Sequence, residues 1–294
     1  MSGPQAALLA DGRRLHLHHG PIDLVSEAFG EPAEVEAAYA QANQRFDSIL
    51  TELVEELPDL RQPSSTSPRR FRHPTARRME AAASLFAGDG FVTPMAGVAG
   101  SVADEMLAAM VAGRRLARAY VNNGGDIAFY LSPDASMTAA IAGTGKGFSD
   151  RLEIAFDDPI RGIATSGRHG RSHSLGIADA VTVLARCGAE ADVAATLIAN
   201  AVDLPGHPAI HRCPARELSP DSDLGGRLVT VSVEPLDAAA IDAALDAGAM
   251  IAQGFVRRGL IESAILYLGG SERVCARAVS APFRKRLQEE PAYA

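Results

Sequence analysis

The sequence predicts an α+β protein: a single domain over residues 1–294 in which mixed and antiparallel sheets are flanked by helices. Two observations predict it. Apolar residues recur at helical spacing in some segments and at period two in others. These segments interleave without the strict strand-helix-strand alternation of a doubly wound sheet, and no repeat of solenoid length is present.

Taken in order, "RRLHLHHG" and "PIDLVSEAFG" read as short strands, the first with Leu15 and Leu17 alternating against His16 and His18. Residues 32–57 carry apolar side chains at helical spacing, with Ala and Glu between them, and predict the first long helix. The Pro-, Ser- and Arg-rich stretch "PDLRQPSSTSPRRFRHP" predicts an irregular connection, followed by a helix near 75–87. "FVTPMAGVAGSVADEMLAAMVAGR" reads as a turn and a helix packed closely through small residues, ending near Gly113.

Strands then dominate. "RAYVNNGGDIAFYL" predicts two that meet at Gly124-Gly125, and "MTAAIAG", "RLEIAF", "GIATSG" and "ADAVTVLA" predict four more. A helix over about 190–202 follows, then a Pro- and His-rich loop, a strand at "RLVTVSV", a helix over about 237–257, and strands at "ESAILYLGG" and "RVCARA". The charged tail, 283–294, is expected to fray.

Composition narrows the function. The chain is 47% hydrophobic, and its 28 basic against 36 acidic residues give a formal charge of −8. That balance argues against a protein built to grip nucleic acid or anionic lipid, and favours small molecules or proteins as partners. Cys187, Cys213 and Cys275 form no CxxC pair, so neither a zinc knuckle nor a disulfide framework is suggested. The amino terminus lacks a basic stretch followed by an apolar run, and no later segment reads as apolar enough to span a bilayer, so a cytoplasmic protein is expected.

Several motifs can carry chemistry. "AGTGKGFSD" fails the phosphate-loop pattern because Gly147, not Ser or Thr, follows Lys146, and it reads better as a glycine-rich hairpin turn. His16, His18 and His19 can form a metal patch or a solvated strand face, and the latter reading is simpler because no acidic or cysteine partner sits nearby in sequence. His207 and His211 lie among prolines and read as loop residues.

In "NNGGDIAF", two glycines between strands let a ligand approach the backbone, or simply close a tight hairpin. Hydroxyl and amide donors crowd the strand end and loop "GIATSGRHGRSHSLG", where Arg168 or Arg171 can pair with phosphate. In "ADVAAT", Asp192 and Thr196 stand one helical turn apart, about 6 Å at Cβ, so both oxygens can reach one ion. Magnesium accepts such hard oxygen ligands. The plainer alternative is that Asp192 caps its own helix and Thr196 bonds back to a carbonyl.

In order along the chain, "VNNGGDI", "GIATSG", "DAVTVLA" and "ADVAAT" resemble the successive core motifs of the ApbE superfamily, flavin transferases that move FMN from FAD onto a threonine of a target protein. The ApbE-like group known as the UPF0280 family is the closer match, through "PMAGVAGSVADEM" and "SGRHGRSHSLGIADAV". The resemblance covers residues 75–205 best. It implies an ApbE-like fold in which Asp192 and Thr196 bind magnesium with their side chains, and Asp126 does so with its carbonyl. Gly124, Gly125, Thr165, Ser166, Gly167 and Arg168 would border FAD or another nucleotide.

The chain departs from the transferases in two places: only residues 168–177 separate Gly167 from the next strand, and the usual Lys-Gly is Ala99-Gly100. Two functions are therefore expected: a magnesium-assisted enzyme acting on a flavin or another nucleotide diphosphate, or a non-enzymatic accessory protein of a redox or sulfur-assimilation pathway. A protein partner fits either, and the small-residue face "MAGVAGSVA" can serve a homodimer as well as a monomer's core.

Overall fold

The computed structural model describes residues 3–140 and 151–277. The expected turn at 142–150 and the tail at 283–294 lie outside them. The chain is α+β, as the sequence predicts, and among the described residues eight strand pairings are antiparallel. It divides into two compact units.

The first unit comprises Met1–Ala135, Pro159–Ala164 and Leu184–Val193. It opens with strands β1 (Gln5–Leu8), β2 (Leu15–His19) and β3 (Ile22–Gly30), then helices α1 (Pro32–Glu55), α2 (Leu57–Leu60) and α3 (Pro74–Phe86). A 3₁₀ turn at Pro94–Gly97 leads into α4 (Val98–Val111), followed by β4 (Leu116–Asn123) and β5 (Asp126–Leu131). The strands run β1-β2-β3-β4-β5 and continue to the start of β8 (Gly162–Ser166) through Ile127 opposite Ile163 and Ala128 opposite Gly162.

Alternation sets the face of this sheet: Leu15, Leu17, Leu24 and Val121 point into a core with Phe46 and Ile49 of α1, Met79 of α3 and Met106 of α4. The first long helix ends at Glu55, short of the expected 57, because Pro58 has no amide to continue the ladder. Glu56 then turns its carboxylate to the backbone amides of Arg72 and His73, at 2.7 and 3.1 Å. The irregular segment between is held by Glu80, buried on α3, which receives Arg69 through Nη2 at 2.8 Å and the Arg69 amide at 2.8 Å.

The second unit comprises Ser136–Asp158, Thr165–Val183 and Ala194–Ala294. It holds β6 (Ser136–Ala140) with β7 (Arg151–Ala155), most of β9 (Ala180–Ala185), and the later part of α5 (Gly188–Ala201). Then come β10 (Ile210–Pro214), α6 (Ala215–Leu218), β11 (Leu228–Val233), α7 (Ala238–Arg258), β12 (Ser263–Leu268) and β13 (Ser271–Ala276). Strand order runs β9-β12-β13, and β12 is buried along its whole length, as a central strand of Ala, Ile and Leu should be.

The expected Pro- and His-rich loop in fact contains β10, paired with β11, and the short α6. The prolines mark only the ends of this strand, where a missing amide costs no ladder bond. A second correction concerns α7, which is long and apolar enough, by length and composition, to cross a membrane, although the sequence reading found no such segment. In the fold its Ala- and Gly-rich face lies on β12 and β13, Asp237 caps its first turn at the Ala240 amide, and Gly259 closes it with φ 71°.

Candidate functional site

The hairpin between β4 and β5 turns on Gly124 and Gly125, whose φ values of 68° and 116° favour glycine strongly. Asn122 accepts the Gly125 amide at 2.8 Å, and Asn123 donates to the Ala99 carbonyl at 3.1 Å, which ties the turn to the start of α4. Asp126 opens β5 directly after the two glycines.

Helix α5 starts at Gly188, two residues before the expected position. Asp192 therefore lies a full turn inside the helix and cannot cap its own first amides. Its carboxylate instead caps α4: Oδ2 accepts the Gly100 amide at 2.9 Å, and the Ala99 amide is a second donor. Asp192 is buried. Burial and then the negative charge of Asp126 hold its carboxyl well above the usual carboxylate range, against the pull of the Gly100 and Ala99 amides, while Asp104 adds to the upward push.

The closeness of α4 and α5 is dictated by glycine. A Cβ on Gly100 would stand 2.2 Å from the Gly188 carbonyl oxygen, and one on Gly97 would stand 2.7 Å from Cγ2 of Val193. Gly97 and Gly100 of the small-residue face "MAGVAGSVA" are thus packed inside this unit. Asp104, on α4, accepts the amides of Gly188 and Ala189 at 2.9 and 2.8 Å. Cys187 beside it has its thiol pushed up to about 12, by burial first and then by the charges of Asp104 and Glu190, so it stays protonated at neutral pH and is no nucleophile.

In the second unit, Thr165 shares a hydrogen bond with Thr182, hydroxyl to hydroxyl at 2.9 Å. Ser166 ends β8 partly exposed. Gly167 is required by close approach, because a Cβ there would lie 2.5 Å from the Asp179 carbonyl oxygen. Arg168 bonds Asp179 through Nε at 2.9 Å and Nη2 at 2.7 Å, and its amide donates to the Ala178 carbonyl at 2.9 Å. The short loop 168–177 is therefore pinned at its base, and the guanidinium offered to phosphate by the sequence is engaged by a carboxylate. Thr196 follows Asp192 by one turn of α5 and is partly exposed.

Of the candidates outside this set, His16 bonds Asp23 at 2.7 Å across the β2–β3 hairpin, an acidic partner that sequence distance concealed, and His18 stacks on His16 at 6.5 Å. His211 pairs with Glu234 at 3.0 Å. Among the described residues no three His, Cys, Asp or Glu side chains form a ready metal cluster. Cavities of about 980 and 470 Å³ open in the first unit, beside β1 and α1 and beneath the later part of α1; of the candidate site residues, His19 lines the smaller.

The Gly-Gly-Asp hairpin, the Thr-Ser-Gly strand end and the Asp-bearing helix are the elements built by the motifs that resemble the ApbE superfamily. The model of the family described as AbpE bacteria matches residues 6–274, and the chain belongs to that family. It is 42% identical over 131 residues to a UPF0280 protein of Methanothrix thermoacetophila, a match spanning 44% of this chain and 52% of that one. A UPF0280 protein of Methanocaldococcus jannaschii is 40% identical over 116 residues, 37% of this chain and 45% of that one. The chain spans about half the length of the curated relatives it matches. Among solved structures, the flavin transferase ApbE from Vibrio cholerae aligns over 93% of this chain and 98% of its own at 12% identity, with a TM-score of 0.48.

Proposed function

We propose that this protein binds a flavin or another nucleotide diphosphate with magnesium, and acts on it as a divergent relative of the flavin transferases. Asp192 and Thr196 would hold the ion through their side chains and Asp126 through its carbonyl, with waters and the ligand's phosphates supplying its other oxygens. The observation that carries the reading is the buried Asp192 carboxyl in the field of Asp126, at the glycine turn. Such an arrangement disfavours the ionised form of Asp192, and a divalent cation would reverse that sign. A site with few carboxylates suits magnesium, which keeps several waters and leans on substrate phosphates.

When bound, the ion would neutralise a diphosphate and stabilise charge on the leaving group as a hydroxyl attacks phosphorus. The chain's own part is positional. The Gly124-Gly125 backbone allows close approach, the Thr165-Ser166-Gly167 strand end offers donors, and Arg168 would reach phosphate only by exchanging its bond to Asp179. Calorimetric titration with FAD and with ADP, each in magnesium and in EDTA, tests the proposal. Heat of binding that needs magnesium and vanishes in Asp192→Ala supports it. FAD and ADP both failing to bind the wild-type protein in magnesium would contradict it.

A further inference from the structure

The two helices that meet at glycine carry the same five-residue pattern, Gly-x-x-Ala-Asp, at the meeting point: Gly100 to Asp104 on α4 and Gly188 to Asp192 on α5. Each aspartate lies four residues beyond its glycine, on the same helix face. Each reaches back across the contact to the other helix's glycine: the Gly100 amide donates to Asp192 at 2.9 Å, and the Gly188 amide donates to Asp104 at 2.9 Å. The glycines sit against each other, a Cβ on Gly188 falling 2.9 Å from the Gly100 carbonyl oxygen. The arrangement is a reciprocal cap, in which each helix supplies the carboxylate for the other's first turn.

The two halves differ in what else they face. Each takes a second amide, Asp104 that of Ala189 and Asp192 that of Ala99, but Asp104 also faces the Cys187 thiol and the positive charge of Arg78, whereas Asp192 stands in the field of Asp126. Both carboxylates hold backbone amides, and of the two only Asp192 belongs to the candidate metal site.

We propose that Asp104 is a positioning residue for that site: by gripping the first turn of α5 it sets the rotation of the helix and so aims the Asp192 carboxylate. At Gly100 and Gly188 the contact is backbone on backbone, with no side chains of its own to interlock. The hydrogen bonds of the two aspartates supply what the missing side chains do not. Gly188 and Asp192 share a face of α5, so any rotation allowed at the first turn swings the ligand away. The inference rests on the magnesium reading of Asp192.

Mn²⁺, followed by the electron paramagnetic resonance of the free aqua ion, tests it on the full chain well below its melting transition. Wild type is expected to bind Mn²⁺, and Asp192→Asn to lose it. Asp104→Ala is expected to weaken binding about 10- to 100-fold, as loss of a partner that orients a ligand does, with Asp104→Asn falling between because one amide keeps its acceptor. If either Asp104 variant melts lower yet binds Mn²⁺ as tightly as wild type, Asp104 is a helix cap alone and the inference is overturned. Where Asp104→Ala does not fold, the Asn variant decides by the same criterion. Wild type that binds no Mn²⁺ overturns the magnesium reading together with this inference, whereas retained binding in the Asp104 variants with loss in Asp192→Asn overturns the inference alone.

Discussion

At the scale of single residues, Asp192 is where the fold's hydrogen bonding meets the proposed metal site. Its carboxyl is raised in the folded state, so the folded protein holds a proton there that the unfolded chain has released, and this group's stabilising effect is lost as pH rises above the ordinary carboxylate range. Asp192→Asn removes that dependence while keeping an oxygen for the Gly100 and Ala99 amides. The metal-free Asn variant should therefore be at least as stable as wild type at pH 7, and the two should converge as pH falls. Urea unfolding at several pH values in EDTA measures this difference, and an Asn variant clearly weaker at pH 7 would show that the charge itself holds α4. Glu80 works in the opposite sense. Burial alone would raise it, but Arg69 and Ser64 together hold its carboxyl below the usual range, so its contribution is present at neutral pH and lost as pH falls. Truncating Glu80 to Ala leaves Arg69 without its buried partner, and denaturant unfolding should register a loss of about 3 kcal/mol.

At the scale of elements, the crossing of α4 and α5 is among the least tolerant places in the first unit. Gly100→Ala sets a methyl group 2.2 Å from a backbone oxygen that cannot move without α5. A cost of about 3 kcal/mol or more is expected from such overpacking, read as a lower urea midpoint at unchanged slope. Much of this level was legible in the sequence. The long helices announced themselves by period, the hairpin by Gly124-Gly125, and the strand "AILYL" by an unbroken apolar run. β10 was hidden because Pro208 and Pro214 bracket it and read as loop, and β1 because four residues are too few for a period to show. The aspartate pair was legible only in part. Asp192 could be singled out by its spacing from Thr196, but its hydrogen-bonding partner lies 92 residues away, and Asp104 drew no attention because the second Gly-x-x-Ala-Asp gains meaning only when the helices cross. His16 teaches the same lesson, since the β2–β3 hairpin sets Asp23 opposite His18 and so diagonally within reach of His16.

At the scale of the whole molecule, we propose that the two compact units belong to one domain, as the chain passes between them within β8, β9 and α5. Scanning calorimetry should then give a single transition with equal calorimetric and van't Hoff enthalpies, and two resolved transitions would separate the units. The formal charge of −8 leaves the choice of ligand to the site, where magnesium would have to reconcile an anionic diphosphate with anionic side chains. The most direct measurement is a thermal-shift titration of wild type and Asp192→Ala with FAD, FMN, ATP and ADP, each with magnesium and with EDTA. A ligand at about 100 times its Kd adds about 2.7 kcal/mol to the folded state, which is readily seen as a higher Tm. The account predicts stabilisation of wild type by FAD or an adenine nucleotide only when magnesium is present, and none in Asp192→Ala. Equal stabilisation of both proteins, or stabilisation that persists in EDTA, would contradict it.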